Sequence, residues 1–394
     1  MTIFQDQLVV GGKFTQAGAV SVNNIAMWDG SNWSALGGGI PGNYTVWGAV
    51  PYNGGLIAGG TSPTFKGFLS FWDGSSWTPM TPPGTDEPFW TVGLHAGLVF
   101  VNAWQGTASK LAWWDGSTWS SVAMPNYFTM LGMTTYHDQL YMIGDHYAAL
   151  YSWDGNAFGG PGVSFENDGY ELHVYDELLY LGGIWVQYEG PLGTEAAIAV
   201  WDGDNWLPFP VYFYNQPNGL VSVEAMATYH GRLILGGDGG VTSFDGNALV
   251  PMNDGTMYVA RDMRVFNGDL YVTGYFNQAG PSNYSYYFAK WTEPATAVGG
   301  SPARGLSVDS APNPFNPSVA ITVNVPAKGQ TRVAIYDARG ELVRNIRNAV
   351  EEAGPLRLTW DGTDQAGNRM SSGVYFVKAA SGNQVVSRKL VLLK

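Results

Sequence analysis

The chain has 394 residues, with 53 glycines, 14% aromatic and only 13% charged residues, a composition that suits many short strands and tight turns rather than helices or disorder. It contains no cysteine, which excludes disulfides, thiolate metal centres and a cysteine nucleophile. The formal charge of −13 is uneven, with 7 Lys+Arg against 25 Asp+Glu in residues 1–300 and 12 against 7 in residues 301–394, so nucleic acid and anionic membrane are not expected partners of the first part. No transmembrane segment is expected, because no apolar run approaches the ~18 residues that a spanning helix needs. Residues 1–10 lack the basic and apolar stretches of a signal peptide.

From the start of the chain a repeat is visible. Trp-Asp-Gly recurs at Trp28, Trp72, Trp114, Trp153 and Trp201, varies to Phe244-Asp245-Gly246, and decays at Trp291, with steps of 44, 42, 39, 48, 43 and 47 residues. Asp-Gly between apolar segments marks a hairpin, since Gly accepts positive φ and the carboxylate bonds nearby backbone N–H groups. A second element precedes each copy. Gln5, Asn53, His95, His137, Asp176, His230 and Asn267 are read as turn residues, and three positions later comes Leu8, Leu56, Leu98, Leu140, Leu179, Leu233 or Leu270. Four positions further on, Gly12, Gly60, Asn102, Gly144, Gly183, Gly237 and Gly274 are read as closing the strand. Each unit of about 40 residues then holds four strands, the pattern of a propeller blade. The expected fold is all-β, a seven-bladed β-propeller over residues 1–294, with the register aromatics packed between blades. Trp104 lies outside the register, so it is expected to matter less for folding than Trp114.

On these motifs the repeat resembles the Trp-Asp-Gly propeller repeats, distantly kelch-like, of large secreted bacterial proteins. The resemblance implies a fold and a location but no single activity.

Residues 295–307 read as a Pro/Gly/Ala/Ser-rich linker, and residues 308–394 as an Ig-like β-sandwich with six strand segments between turn clusters. The quoted motifs are Asn313-Pro314-Phe315-Asn316-Pro317, Trp360-Asp361-Gly362 and Gly373-Val374-Tyr375. On them this part resembles the C-terminal sorting domain of type IX secretion cargo, within the Ig-like domains related to the flagellar hook-capping protein. The resemblance implies export across a bacterial outer membrane, with the secretion machinery as partner. Such cargo carries a signal peptide, so a processed or truncated form is expected.

No catalytic set assembles from the sequence. The aspartates of the repeat are turn formers first. His146 and His173 have no partner at metal-ligand spacing, and no catalytic residue, protein-bound metal or cofactor is expected. Residues 166–169 and 202–205 are oxygen-rich loops for which calcium is the one ion to consider, although neither has full alternating ligand spacing. Trp47, Trp90, Trp104, Trp185, Tyr44, Tyr127, Tyr284, Tyr286 and Tyr287 stand outside the repeat register. Core filling is the commoner role for each, and stacking on sugars or anchoring a partner is the functional one. At the last unit, Tyr286, Tyr287, Phe288 and Lys290 mark an edge expected to accept another chain, since Pro294 cannot join a ladder. The expected function is a non-enzymatic extracellular binding or structural protein, at the cell surface or self-assembling into a filament or layer. The alternatives are a lectin-like propeller that binds glycan and, behind it, a polysaccharide hydrolase or lyase.

Overall fold

The computed structural model describes residues 1–82, 84, 87–106, 108–125, 128–145, 150–160, 168–187, 195–207, 209, 222–244, 249–252, 259–276, 287–291, 306–311, 315, 318–337, 341–382 and 384–392. These residues form strands and turns with no helix among them, and they fall into two compact units, Met1–Thr292 and Glu293–Lys394.

The first unit is a β-propeller. Blade 2 shows the plan: Thr45–Tyr52, Gly55–Thr61, Gly67–Trp72 and Trp77–Met80 pair antiparallel in chain order. Six such four-stranded sheets are present, and a seventh contains Val259–Phe266, Asp269–Tyr275 and Phe288–Trp291 as its three described strands. The expected outer strand of that blade, at 295–298, lies outside the described residues. Blade 1 carries an extra hairpin, Gln16–Ala17 with Val20–Ser21.

Between the first two strands of each blade runs a two-residue turn with both φ positive, as in Gln5-Asp6, His137-Asp138 and Asp176-Glu177. That geometry matches the twist of the flanking strands, and it is adopted here largely without the usual Asn-Gly. The register Leu faces the register aromatic across the ladder in six blades, from Leu8 with Trp28 to Leu270 with Trp291. Blade 3 departs from the sequence reading by one residue. Its turn is Ala96-Gly97, Val99 rather than Leu98 faces Trp114, and His95 ends the first strand instead of forming the turn. The shift follows from the short Ala96-Gly97 pair, in which glycine takes the second turn position.

The register aromatics pack where expected. Trp72 enters a cluster with Phe4, Val9, Ile25 and Val46, Trp153 one with Phe100 and Leu111, and Trp201 one with Tyr136 and Ile143. Each therefore fills the interface with the preceding blade. The same contact closes the ring: Trp28 of blade 1 packs on Phe266 and Tyr271 of blade 7, and its indole N–H donates to the Tyr271 hydroxyl at 3.3 Å. Phe288 stacks against Trp28 and Trp33 at 6.0 and 4.8 Å. Arg264 adds a bond to the Met1 carbonyl at 3.1 Å. A further aromatic layer had no counterpart in the sequence reading. Phe4, Tyr52, Tyr136, Tyr175, Tyr229 and Phe266 end the first strands, and the Tyr136 and Tyr175 hydroxyls donate to the Glu177 and Gly231 carbonyls on the next blade's turn.

At the same end of blades 1 to 5 sit the described Asp-Gly turns. The carboxylates of Asp29, Asp73, Asp115, Asp154 and Asp202 accept the backbone N–H groups two and three residues on, at 2.6–2.8 Å. Those bonds hold the carboxyls below their ordinary range, Asp73 at about 2.

The second unit is a sandwich of two sheets, Ser307–Ala311, Val319–Val325 and Gly354–Trp360 on one side, and Leu342–Glu351, Gly329–Asp337, Gly373–Ser381 and Gln384–Leu392 on the other. The sequence reading had put residue 307 in the linker, but it begins a strand. Trp360 fills the centre, stacked by Phe315 at 5.4 Å and Tyr375 at 5.0 Å, with its indole N–H donated to the Thr363 carbonyl at 2.8 Å.

The packing reverses the expected order of two tryptophans. Trp104 is only 1% exposed and donates to Asn102 Oδ1 at 3.1 Å, whereas Trp114 is half-buried. Trp104→Ala should therefore cost about 3–5 kcal/mol and lower the urea midpoint of the full chain more than Trp114→Ala does. A second expectation concerns acid. Because the turn aspartates are depressed below 3.8, their stabilisation is complete above that value and is lost as pH falls toward about 2. Asp73→Asn keeps an acceptor oxygen but cannot titrate, so its thermal midpoint should fall less steeply than wild type between those two pH values.

Candidate functional site

The end of the propeller opposite the turns carries its long connections, and one recurring contact organises it. The N–H groups of Val46, Phe89 and Val223 donate to the carbonyls of Gly12, Gly60 and Gly183 on the preceding blade, at 3.0, 3.2 and 3.0 Å. Between blades 3 and 4 the Asn102 side chain takes over the role, accepting from Met130 N–H at 3.0 Å while its amide donates to Ser109 Oγ at 2.9 Å. The register glycines answer to a second close contact, made within their own blade against its first strand. A Cβ on Gly60, Gly144, Gly237 or Gly274 would lie 1.9–2.0 Å from the carbonyl oxygen of Thr45, Thr129, Ser222 or Val259. Of the two properties that could close the strand here, small size or tolerance of a turn, small size is the one these glycines supply: they permit close backbone approach.

The residue after each latched position is pushed out of the ladder. The register shifts between Val46 and Gly48, Met130 and Gly132, Gly169 and Glu171, and Ala260 and Asp262 release Trp47, Leu131, Tyr170 and Arg261. A bulge re-aims a side chain in this way and gives it no ladder partner. Trp90 and Glu224 hold the same position in blades 3 and 6, directly after latched Phe89 and Val223. All six stand nine residues ahead of the register Leu, or of Val99 in blade 3. The sequence reading singled out only Trp47 and Trp90 among them, because the six share an offset and no residue type.

These side chains form a rim with two characters. Trp47 and Trp90 are 42% and 38% exposed and stack on each other at 5.2 Å with planes tilted by 42°. The Trp47 indole N–H is fixed on Thr61 Oγ1 at 2.8 Å. On the other side Arg261 forms an ion pair with buried Glu224 and lies 5.6 Å from the centroid of the exposed Tyr275 ring. Burial raises the Glu224 carboxyl and Arg261 opposes the rise. Burial, reinforced by Asp168, pushes Tyr170 up to about 12.

Below the rim, Glu171 follows the bulge residue Tyr170. Its carboxyl is pushed up to about 8 by burial, with Asp262 raising it further and Arg264 opposing. Those two lie on the first strand of blade 7, Val259–Phe266. His173 donates to or accepts from Thr228 Oγ1 at 2.9 Å and is pushed down to about 4, first by burial and then by Arg264.

The other residues singled out in the sequence are scattered. His137 and His230 occupy turns as expected, and His95 bonds Thr135 Oγ1 on the next blade at 3.0 Å. Trp104 is core, and Tyr44 packs edge-on to Phe68 at 4.8 Å. Asp202 spends Oδ1 on its own turn, and no cluster of three or more potential metal ligands occurs among the described residues. His146, Tyr127, Tyr284, Tyr286, Asp245 and residues 166–167 lie outside the described residues. At the expected assembly edge, Tyr287 is exposed, Phe288 belongs to ring closure, and Lys290 pairs with Asp269 at 3.0 Å. Of the sorting-type motif, Phe315, Trp360 and Tyr375 are core, Gly373 opens a strand, and Asp361 pairs with Arg344 at 2.7 Å. Asn313, Pro314, Asn316 and Pro317 lie outside the described residues.

Residues 315–384 match the family of the FlgD Ig-like domain. The C-terminal unit is therefore an FlgD Ig-like domain. No curated protein matches the chain. Among solved structures the chain is similar to PorZ, an essential bacterial surface component of the type-IX secretion system of Porphyromonas gingivalis, at 12% identity and a TM-score of 0.27, covering 100% of this chain and 86% of that one. It is similar to YCF48 bound to D1 peptide at 12% identity and a TM-score of 0.47, covering 75% and 98%. For dimeric latent PorU from Porphyromonas gingivalis the identity is 15% and the TM-score 0.22, covering 91% and 33%. Superpositions this loose carry no functional information. No described helix is long and apolar enough to cross a membrane.

Glu171 yields a testable pH dependence. Its folded pKa lies above the ordinary 4.5, so its stabilisation is complete below that value and is lost as pH rises through about 8. Glu171→Gln, which stays neutral, should melt above wild type at alkaline pH, with the gap closing as pH is lowered to about 4.5. A wild-type protein that melts higher at alkaline pH would mean that the carboxylate is held ionised.

Proposed function

We propose that this chain is a non-catalytic extracellular binding protein, in which the FlgD Ig-like domain serves export and surface attachment and the propeller presents its loop-side rim to a ligand. The observation that carries this reading is the rim itself. Six side chains share one repeated position, four of them released from ladder pairing by a bulge, and two of the six are large exposed aromatics, of the kind that anchor interfaces. The Ig-like domain supports the location, because its sequence resembles the sorting domains of type IX secretion cargo. Deployment singly on the surface or as an assembled layer is the finer part of the reading, and electron microscopy of native material separates the two.

The reading is tested by expressing the chain behind an export signal in a bacterium with a type IX system, with and without residues 306–394. The full chain should reach the cell surface or medium, and the shortened one should be retained in the periplasm. Equal surface display of both would remove the export role of the domain.

A further inference from the structure

The rim combines features that together select a ligand class. Trp47 and Trp90 come from equivalent positions of adjacent blades, and their 42° tilt at 5.2 Å makes a shallow, open V rather than a pocket. The Trp47 N–H is already committed to Thr61, so this indole offers a ligand its face. Phe65 stands in the turn that follows Thr61. It is 77% exposed and held at φ 59° by Ser62, which bonds Lys66 N–H through Oγ at 3.0 Å and Phe65 N–H through its carbonyl at 3.0 Å. A bulky residue at positive φ is an outlier, and here its ring is left open to solvent.

Aromatic faces carry negative quadrupole density, which suits the weakly positive C–H face of a sugar ring. A peptide anchored by its side chains needs pockets, and one added as a strand needs an open sheet edge. Neither describes a tilted pair of exposed indoles. Beyond the aromatic arc, half-exposed Arg261 and the Tyr170 hydroxyl supply groups that pair with sugar hydroxyls. With 7 Lys+Arg against 25 Asp+Glu in residues 1–300, the propeller repels polyanions.

We infer that the loop-side rim of the propeller binds an uncharged oligosaccharide, stacked on Trp47 and Trp90 and reaching across the channel mouth toward Tyr170 and Arg261. The inference rests on the binding role proposed above and names its ligand. A chain of several sugars is favoured over a single one because the two arcs belong to blades on opposite sides of the ring.

The test uses the full chain. Cellohexaose, xylohexaose, mannohexaose and maltohexaose are titrated calorimetrically, with polygalacturonate and heparin as anionic comparators, for wild type, Trp47→Ala, Trp90→Ala and Phe65→Ala. Wild type should bind at least one uncharged hexasaccharide, and each tryptophan variant should weaken it by roughly tenfold or more with circular dichroism and thermal midpoint unchanged. Phe65 is a surface residue that folding does not need, so its replacement gives a second reading if a tryptophan variant fails to fold. The inference is overturned if wild type binds none of the uncharged probes, if it binds only the polyanions, or if the folded aromatic variants bind as wild type does. None of those results touches surface display, so the export reading stands or falls separately.

Discussion

A single backbone contact organises the propeller. The chain entering one blade donates an N–H to a carbonyl at the end of the preceding blade's second strand, at Gly12, Gly60 and Gly183, and within a blade the end of the second strand lies so close to the first that Gly60, Gly144, Gly237 and Gly274 leave no room for a Cβ. With a side chain there, a carbon would meet a carbonyl oxygen at about half the van der Waals separation, and the strand would have to lift away. The consequence spreads outward. To reach the latch the first strand takes on one residue too many for its ladder, and the extra residue bulges. Blade 3 tests the rule, since Ala103 stands where the other blades have glycine, and the donor of blade 4 is received by the Asn102 side chain instead. The acceptor is conserved in space although the residue that supplies it is not.

Seen from the other end of the blade, the chemistry is different and complementary. There the turns are made by aspartates that satisfy backbone donors, and the register aromatics seal each interface with the blade before. With polar self-satisfaction and aromatic packing both at the turn end, the bulge position at the latch end is left free, among the described residues, to carry side chains of different size and charge. Ring closure needs no special device, because Trp28 meets Phe266 and Tyr271 in the way that Trp72 meets blade 1.

Much of this was legible in the sequence. The repeat, its four-strand plan and the inter-blade role of its aromatics could be read because each imposes a residue type: Gly for φ or close approach, Asp for the turn, Leu and Trp for burial. The slip in blade 3 arose where a Leu falls one residue early and mimics the register. Trp104 was misjudged because it packs outside the repeat, under a loop whose Gly84 lies against its backbone. The rim was missed for a physical reason. A bulge residue is selected by position alone, so Trp47, Leu131, Glu224 and Arg261 look unrelated until the latch aligns them.

That lack of shared chemistry is itself informative. At the register leucine, glycine and aromatic most blades keep the same residue, because each substitution there would cost close packing or a buried hydrogen bond. One step past the latched position the residues run Trp, Trp, Leu, Tyr, Glu, Arg, a range of size and charge that no common packing demand would produce. A repeat fold holds its side chains at equivalent places on a ring, so variation confined to one such place alters the chemistry of the rim while leaving the scaffold untouched. Neighbouring rim residues nonetheless form specific pairs, indole on indole in blades 2 and 3 and carboxylate on guanidinium in blades 6 and 7. Drift without constraint would not be expected to pair adjacent blades in kind. Variation between blades combined with complementarity between neighbours is the pattern that the binding role proposed for the rim calls for.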